Sequence, residues 1–325
     1  MLTSCRLSAF PASALSIGLL YAVSAHAQQY PSKAIRFIVP YVAGGNTDVL
    51  ARLIGVQLSE TLGQPVIVDN RPAVDGVVGI GLVASAPGDG YTLLMVSSSV
   101  AINVAVGYKL PYDTVRDLAP ITQTASQQLI LVVQPSLPVK TVKELIEFAK
   151  AKSGGINYGT SSNAGQLATE LFNAMAGIKM VHIPYKGSAP MINDLLGGQI
   201  DVSFSPSVTT LPHIKSGRLR AIAIGDSKRS SFMPDMPTVS ESGVPGYQAV
   251  IWTGMLAPAK TPRSIINTIN QEVVRIVQAP ELKNRLVQLG SDTVGSTPEQ
   301  FGEFLKAEIV KWSKIARQVG VKANS

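Results

Sequence analysis

The residues best placed for chemistry stand at one junction, Tyr41-Val42-Ala43-Gly44-Gly45-Asn46-Thr47-Asp48. A mostly apolar strand, Ile35 to Val39, runs into the glycine pair, and an amphipathic helix opens directly after it. Such a junction leaves the first N–H groups of the helix unpaired at the positive end of its dipole. Those groups attract an anion, and paired glycines let a ligand come close to the backbone. The chemistry this points to is capture of a small carboxylate. No Lys-Ser/Thr follows the glycines, so the loop lacks the signature of a nucleotide P-loop. Asp48 has two readings. Its carboxylate can stabilise the helix N-terminus by about 0.3–1 kcal/mol, or it can accept from a ligand ammonium or hydroxyl, or from a bridging water. It should not meet a ligand carboxylate directly, because like charges repel.

A second junction repeats the pattern. Met180 to Ile183 reads as a strand, Pro184-Tyr185-Lys186-Gly187-Ser188-Ala189-Pro190 as a loop, and a helix follows to Leu196. Gly187 and Ser188 are the candidate contacts there, with Lys186 read as solvated. Ser161-Ser162-Asn163 offers neutral donors, which bind a carboxylate without a large desolvation cost. Ser97-Ser98-Ser99 follows another apolar strand and suits either ligand contact or capping. His182 and His213 lack a partner at metal-ligand spacing. The sequence holds no G-x-S-x-G elbow, and its one cysteine is Cys5. A Cys-His nucleophile is therefore excluded from a chain that loses its N-terminal segment.

These loops need a scaffold, and the chain alternates strand and helix patterns to supply one. A helix is expected from about Thr47 to Leu62 with Leu50, Leu53, Ile54 and Leu58 as its stripe, then a strand at Val66-Ile67-Val68. Thr92 to Val96, Leu129 to Val133, Ile156 to Tyr158, Ile200 to Phe204, Leu219 to Ile224 and Val250 to Leu256 read as further extended segments. The helix from Ala164 to Met175 should bury Leu167, Leu171, Phe172 and Met175, and Thr141-Val142-Lys143-Glu144 is a capping box. Thr261-Pro262 and Thr297-Pro298 should each open a helix with proline at its first position. The alternation implies parallel sheets covered by helices, with ligands at the carboxyl ends of the strands.

Length and composition agree. The chain has 325 residues, enough for two domains of ordinary size. Arg6, the apolar run Phe10 to Val23 and Ala25-His26-Ala27 form an export leader, so the mature chain should begin at Gln28. The net charge of +7 is scattered over the chain and not gathered into a basic-aromatic patch, which argues against nucleic-acid binding.

Several stretches together resemble the extracytoplasmic solute receptors called Bug proteins, the binding components of tripartite tricarboxylate transporters. They are Tyr30-Pro31-Ser32-Lys33, Val39-Pro40, Gly44-Gly45, Asp48, Ala51-Arg52, Asn70-Arg71-Pro72, Asp89-Gly90-Tyr91-Thr92-Leu93-Leu94 and Leu110-Pro111-Tyr112-Asp113. Tyr185 to Pro190, Asp194-Leu195-Leu196-Gly197-Gly198-Gln199-Ile200-Asp201, Pro237-Thr238, Gly246-Tyr247 and Leu256-Ala257-Pro258 complete the set. The resemblance implies an α/β, two-domain periplasmic binding protein of the Venus flytrap, type II-like kind, hinged between two sheet-containing lobes. The leader would be residues 1–27, lobe 1 residues 28–127 plus 252–325, and lobe 2 residues 128–251. It implies no catalysis, no cofactor and no metal. The ligand would be a small carboxylate and the partners the membrane subunits of the transporter, with the receptor a monomer. A receptor feeding a sensor kinase and an enzyme acting on organic acids are the alternatives. The expected ligand contacts are Tyr41, Ala43, Gly44, Gly45, Thr47, Asp48, Ser98, Ser161, Ser162, Asn163, Gly187, Ser188 and Ser205. The chain departs from the family pattern at Tyr41-Val42-Ala43, at Ala73-Val74-Asp75-Gly76, where relatives tend to be glycine-rich, and near Ala168, where many carry a histidine.

Overall fold

The computed structural model describes residues 30–152, 155–185, 187–288 and 290–322. The leader, Cys5 and Lys186 lie outside the described residues. In chain order, the first part runs β1 (Ile35–Val39), α1 (Asn46–Leu62), β2 (Val66–Asn70), a 3-10 turn (Val74–Gly76), α2 (Val77–Ala84), β3 (Thr92–Ser97) and α3 (Ser99–Ala105). β4 (Leu118–Val133) then leads to α4 (Val142–Ala151), β5 (Asn157–Thr160), α5 (Asn163–Ala176), β6 (Val181–Pro184) and α6 (Ser188–Leu196). After these come β7 (Val202–Pro206), α7 (Ser207–Lys215) and β8 (Arg220–Ile224). The chain ends with β9 (Val250–Pro258), α8 (Arg263–Gln278), α9 (Pro280–Gln288), β10 (Ser291–Thr293) and α10 (Pro298–Val319).

The strands form one continuous path, β2-β1-β3-β9-β4-β7-β5-β6, with β8 and β10 also paired to β4. β1 pairs parallel with β2 and β3, and β5 pairs parallel with β6 and β7. The sheet is mixed, against the purely parallel expectation, because β4 and β9 run antiparallel to their neighbours. β4 is the reason. Its first part, Leu118 to Gln128, pairs with β9, and Leu129 to Val133 pairs with β7 and β8. One strand thus carries the chain from one set of parallel strands to the other.

The cores follow the same division. α1 buries Leu50, Ile54 and Leu58 against β1, β3 and α8. On the far side, β4, β7, α4 and α5 enclose Leu131, Val202, Leu145, Leu167 and Phe172. Met175 is 41% exposed, because it falls off the stripe that Leu167, Ala168 and Phe172 turn inward. α10 joins both cores: Phe301 and Leu305 pack with β3 and β9, while Trp312 packs with the residues around α5. A buried carboxylate, Glu308, accepts from the indoles of Trp252 (3.0 Å) and Trp312 (2.9 Å).

Helix ends are set by local chemistry. Thr141 and Ser162 cap α4 and α5, accepting from Glu144 N and Gly165 N. Thr297 and Gln300 form a capping box with Pro298 at the first helical position of α10. At α8 the proline stands one place earlier than expected: Pro262 is the N-cap, with extended ψ of 140°, and Arg263 is the first helical residue.

Candidate functional site

The loops that follow β1, β3, β5 and β6 carry the chain into α1, α3, α5 and α6, and the 3-10 turn follows β2 into α2. In open α/β sheets this strand-end side is where ligands bind. Two adjoining cavities lie here, of about 240 and 250 Å³, sharing Asp75, Ser162 and Asn163 in their walls. Tyr108, Ser161, Gln166, His182 and Tyr185 line the first, and Tyr41, Ser97, Ser98, Ser99 and Asn103 the second. Three larger hollows open on the surface; one shares Tyr108 with the first cavity, and the other two share no lining residue with either cavity.

The loop after β1 is held by its own side chains. Gly44 has φ of +82°, a conformation glycine adopts without cost, and its N–H donates to Asp48 Oδ2 at 2.8 Å. Arg52 Nε donates to the same oxygen at 3.0 Å, and Asn70 Nδ2 to Oδ1 at 2.8 Å. Burial works against the charge on Asp48, but the hydrogen bonds from Arg52, Gly44 and Asn70 outweigh it and hold the carboxyl below its ordinary pKa. The Asp48 carboxylate is therefore engaged within the loop. No side chain caps α1, whose N-cap is Gly45, or α6, whose N-cap is Gly187 with φ of +108°. Both helices keep first-turn N–H groups that no described side chain claims.

Tyr41 anchors the second cavity. Its hydroxyl meets Ser99 Oγ at 2.6 Å, Ser97 Oγ at 2.9 Å and Ser97 N at 3.1 Å. Burial raises its pKa, so the phenol stays neutral. Across the site Ser161 Oγ and Ser188 Oγ are 3.1 Å apart, which ties the loop after β5 to the start of α6. His182 stacks on Tyr158 and meets Thr160 Oγ1 at 2.7 Å. Burial lowers its pKa, with Glu170 opposing, so the ring is neutral at pH 7. Tyr185 donates to Asp194 at 2.7 Å; burial and that carboxylate push its pKa up to about 12.

The expected contacts sort by position. Tyr41, Ser98, Ser161, Ser162 and Asn163 line the cavities, and Ser188 joins them through Ser161. Ala43, Gly44, Gly45, Thr47 and Gly187 lie on the two glycine loops or the helix starts beside them. Ser205 is fully buried in β7 with its hydroxyl on Ser203 Oγ at 2.8 Å, and lines neither cavity. Sequence reasoning passed over Asp75, Tyr108, His182, Gln166 and Asn103. Asp75 had a signal, since it stands where the family pattern leads to glycine. It joins the two sides: its Oδ2 accepts from Tyr108 Oη at 2.8 Å and from Asn163 Nδ2 at 3.2 Å.

Comparison with known proteins identifies the family. Residues 50–321 match the family described as the tripartite tricarboxylate transporter family receptor. The chain belongs to that family. It is 37% identical to protein BugT of Bordetella pertussis over 300 residues, 91% of this chain and 92% of the relative. A solved R. palustris protein with adipate is 34% identical, with a TM-score of 0.80 over 90% of this chain and 99% of its own. The structure of the periplasmic binding protein BugD is 30% identical, with a TM-score of 0.76 over 91% of this chain and 100% of its own. The fold of this receptor is thus the mixed α/β fold of periplasmic solute-binding proteins, and the receptor family binds solutes.

Proposed function

We propose that this receptor is exported and takes a small organic carboxylate at the strand-end cleft, between lobe 1 (residues 28–127 and 252–325) and lobe 2 (residues 128–251). The observation that carries the reading is the pair of glycine-started helices, α1 and α6, whose first turns no described side chain caps, and whose preceding loops reach the cavity walls through Tyr41 and Tyr185. Helix N-termini hold anions through backbone N–H groups and the dipole, without a buried countercharge. The relative solved with adipate supports the class of ligand. Ligand binding closes the lobes about β4 and β9, and the closed monomer docks on the membrane subunits of a tripartite tricarboxylate-type transporter. Closure requires a ligand that prefers the closed state. The family is one of receptors, which supports binding without turnover.

A thermal-shift screen of the mature protein against organic acids tests this. A ligand at about 100 times its Kd stabilises by about 2.7 kcal/mol. Silence across a broad acid panel would sink the reading, and chemical conversion of any hit, followed by mass, would turn it toward an enzyme. N-terminal sequencing of the protein recovered from the periplasm should begin at Gln28.

A further inference from the structure

We propose that Asp75 determines specificity in this cleft, and that the preferred ligand is an acid that also carries a protonated amine. The inference rests on the carboxylate-receptor reading and supplies the other end of the ligand. Asp75 lies in the wall of both cavities, on the turn between β2 and α2. Its Oδ2 is held by Tyr108 Oη and Asn163 Nδ2, and its Oδ1 accepts no hydrogen bond from a described residue. Both partners are neutral. None of the ion pairs among the described residues includes Asp75. The described walls of the two cavities contain no Lys or Arg, and His182 is neutral there.

Among the described neighbours of this half-buried carboxylate there is no cation, so a ligand ammonium would be its nearest countercharge. A dicarboxylate held by one end at α1 or α6 would bring its second anion toward Asp75, where the two repel. An ammonium in the same place gains a charge-assisted hydrogen bond to Oδ1 and loses no charge balance. The backbone adds an independent sign of purpose. Asp75 has φ of 47° and ψ of 24°, and it is the one non-glycine residue at positive φ among the described residues. Strained positions of this kind gather at functional sites. A glycine would fit the turn more easily, so a charged residue here adds chemistry that the turn does not need.

Calorimetric titration of the mature protein separates the outcomes. The probes are 4-aminobutanoate, 6-aminohexanoate and the standard L-amino acids, against succinate, glutarate and adipate. The best amine-bearing acid should bind at least tenfold more tightly than any of the dicarboxylates. Asp75→Asn, which tolerates the same backbone, should weaken that acid at least tenfold and leave dicarboxylates unchanged or tighter. If the Asn variant melts early, Asp75→Gly suits the positive φ and reads the same quantity. Tighter binding of a dicarboxylate to the unmodified protein overturns the inference and leaves the carboxylate reading standing. So does a parallel change in both classes on substitution, which would make Asp75 a latch between the two sides. Silence from every acid, in the unmodified protein and both variants, overturns both.

Discussion

Replacing Asp48 by asparagine tests how the glycine loop is held. Three donors converge on this carboxylate: Gly44 N and Arg52 Nε on one oxygen, Asn70 Nδ2 on the other. The amide offers one acceptor oxygen, so its NH2 group must face a donor on one side. Asn70 cannot simply turn over, because its own oxygen accepts from Arg52 Nη2 at 2.8 Å. A hydrogen bond to a charged group contributes about 1.5–3 kcal/mol. Arg52 is half exposed, which screens its share of the ion pair. We expect a net loss of about 2 kcal/mol, or about 4 °C in Tm for a chain of this size. Calorimetric unfolding measures it. The pH dependence gives a second check. The folded pKa of Asp48 is lowered, so its contribution is complete above the unfolded value of about 3.9 and drains as pH falls through the folded value. Asp48→Asn should therefore lose less stability than the parent below about pH 4. A variant within about 0.5 kcal/mol of the parent, the range of ordinary surface changes, would refute the role given to this carboxylate.

Other outcomes follow from the same structure. Gly187→Ala places a side chain at φ of +108° in open space, so it should cost about 1–2 kcal/mol through backbone strain alone and weaken ligand binding, as titration would show. Glu308→Ala leaves two buried indole N–H groups without an acceptor, at about 1–3 kcal/mol each, and denaturant titration should show a fall in midpoint with little change in slope. The folded pKa of His182 is lowered, so the unfolded chain takes up its proton first and stability falls as pH drops below about 6.5. His182→Gln should flatten its share of that fall between pH 7 and 5, and an unchanged profile would contradict a buried neutral ring.

Much of the scaffold was legible because its signals are local. The strand at Ile35 to Val39 is buried at four of its five positions, and the helix after it, ending at Gly63, follows from its apolar stripe and glycine stop. The first part of β4 was not legible. It carries Thr122, Gln123, Thr124, Gln127 and Gln128, so it lacks the apolar run that marks Leu129 to Val133. The two threonines are tolerated in a strand because distant residues satisfy them: Thr122 donates to Ser296 O, and Thr124 shares a hydrogen bond with Thr253. No window of sequence contains both members of those pairs. β10 and α9 were missed for simpler reasons, three residues being too few for a pattern and α9 starting straight after α8. In the cleft, the glycine loops and serines announced themselves by type and spacing. Asp75 and Tyr108 did not, because they meet only when the turn after β2 folds against α3 and its following loop.

The chain has two tryptophans, and both donate to one carboxylate, Glu308. Trp252 belongs to β9 and the first core, while Trp312 packs into the second. Any rearrangement between the cores changes the surroundings of both indoles together. If the lobes open and close as proposed, these two indoles give the protein an optical gauge of that motion, intrinsic emission read without a dye or an added label.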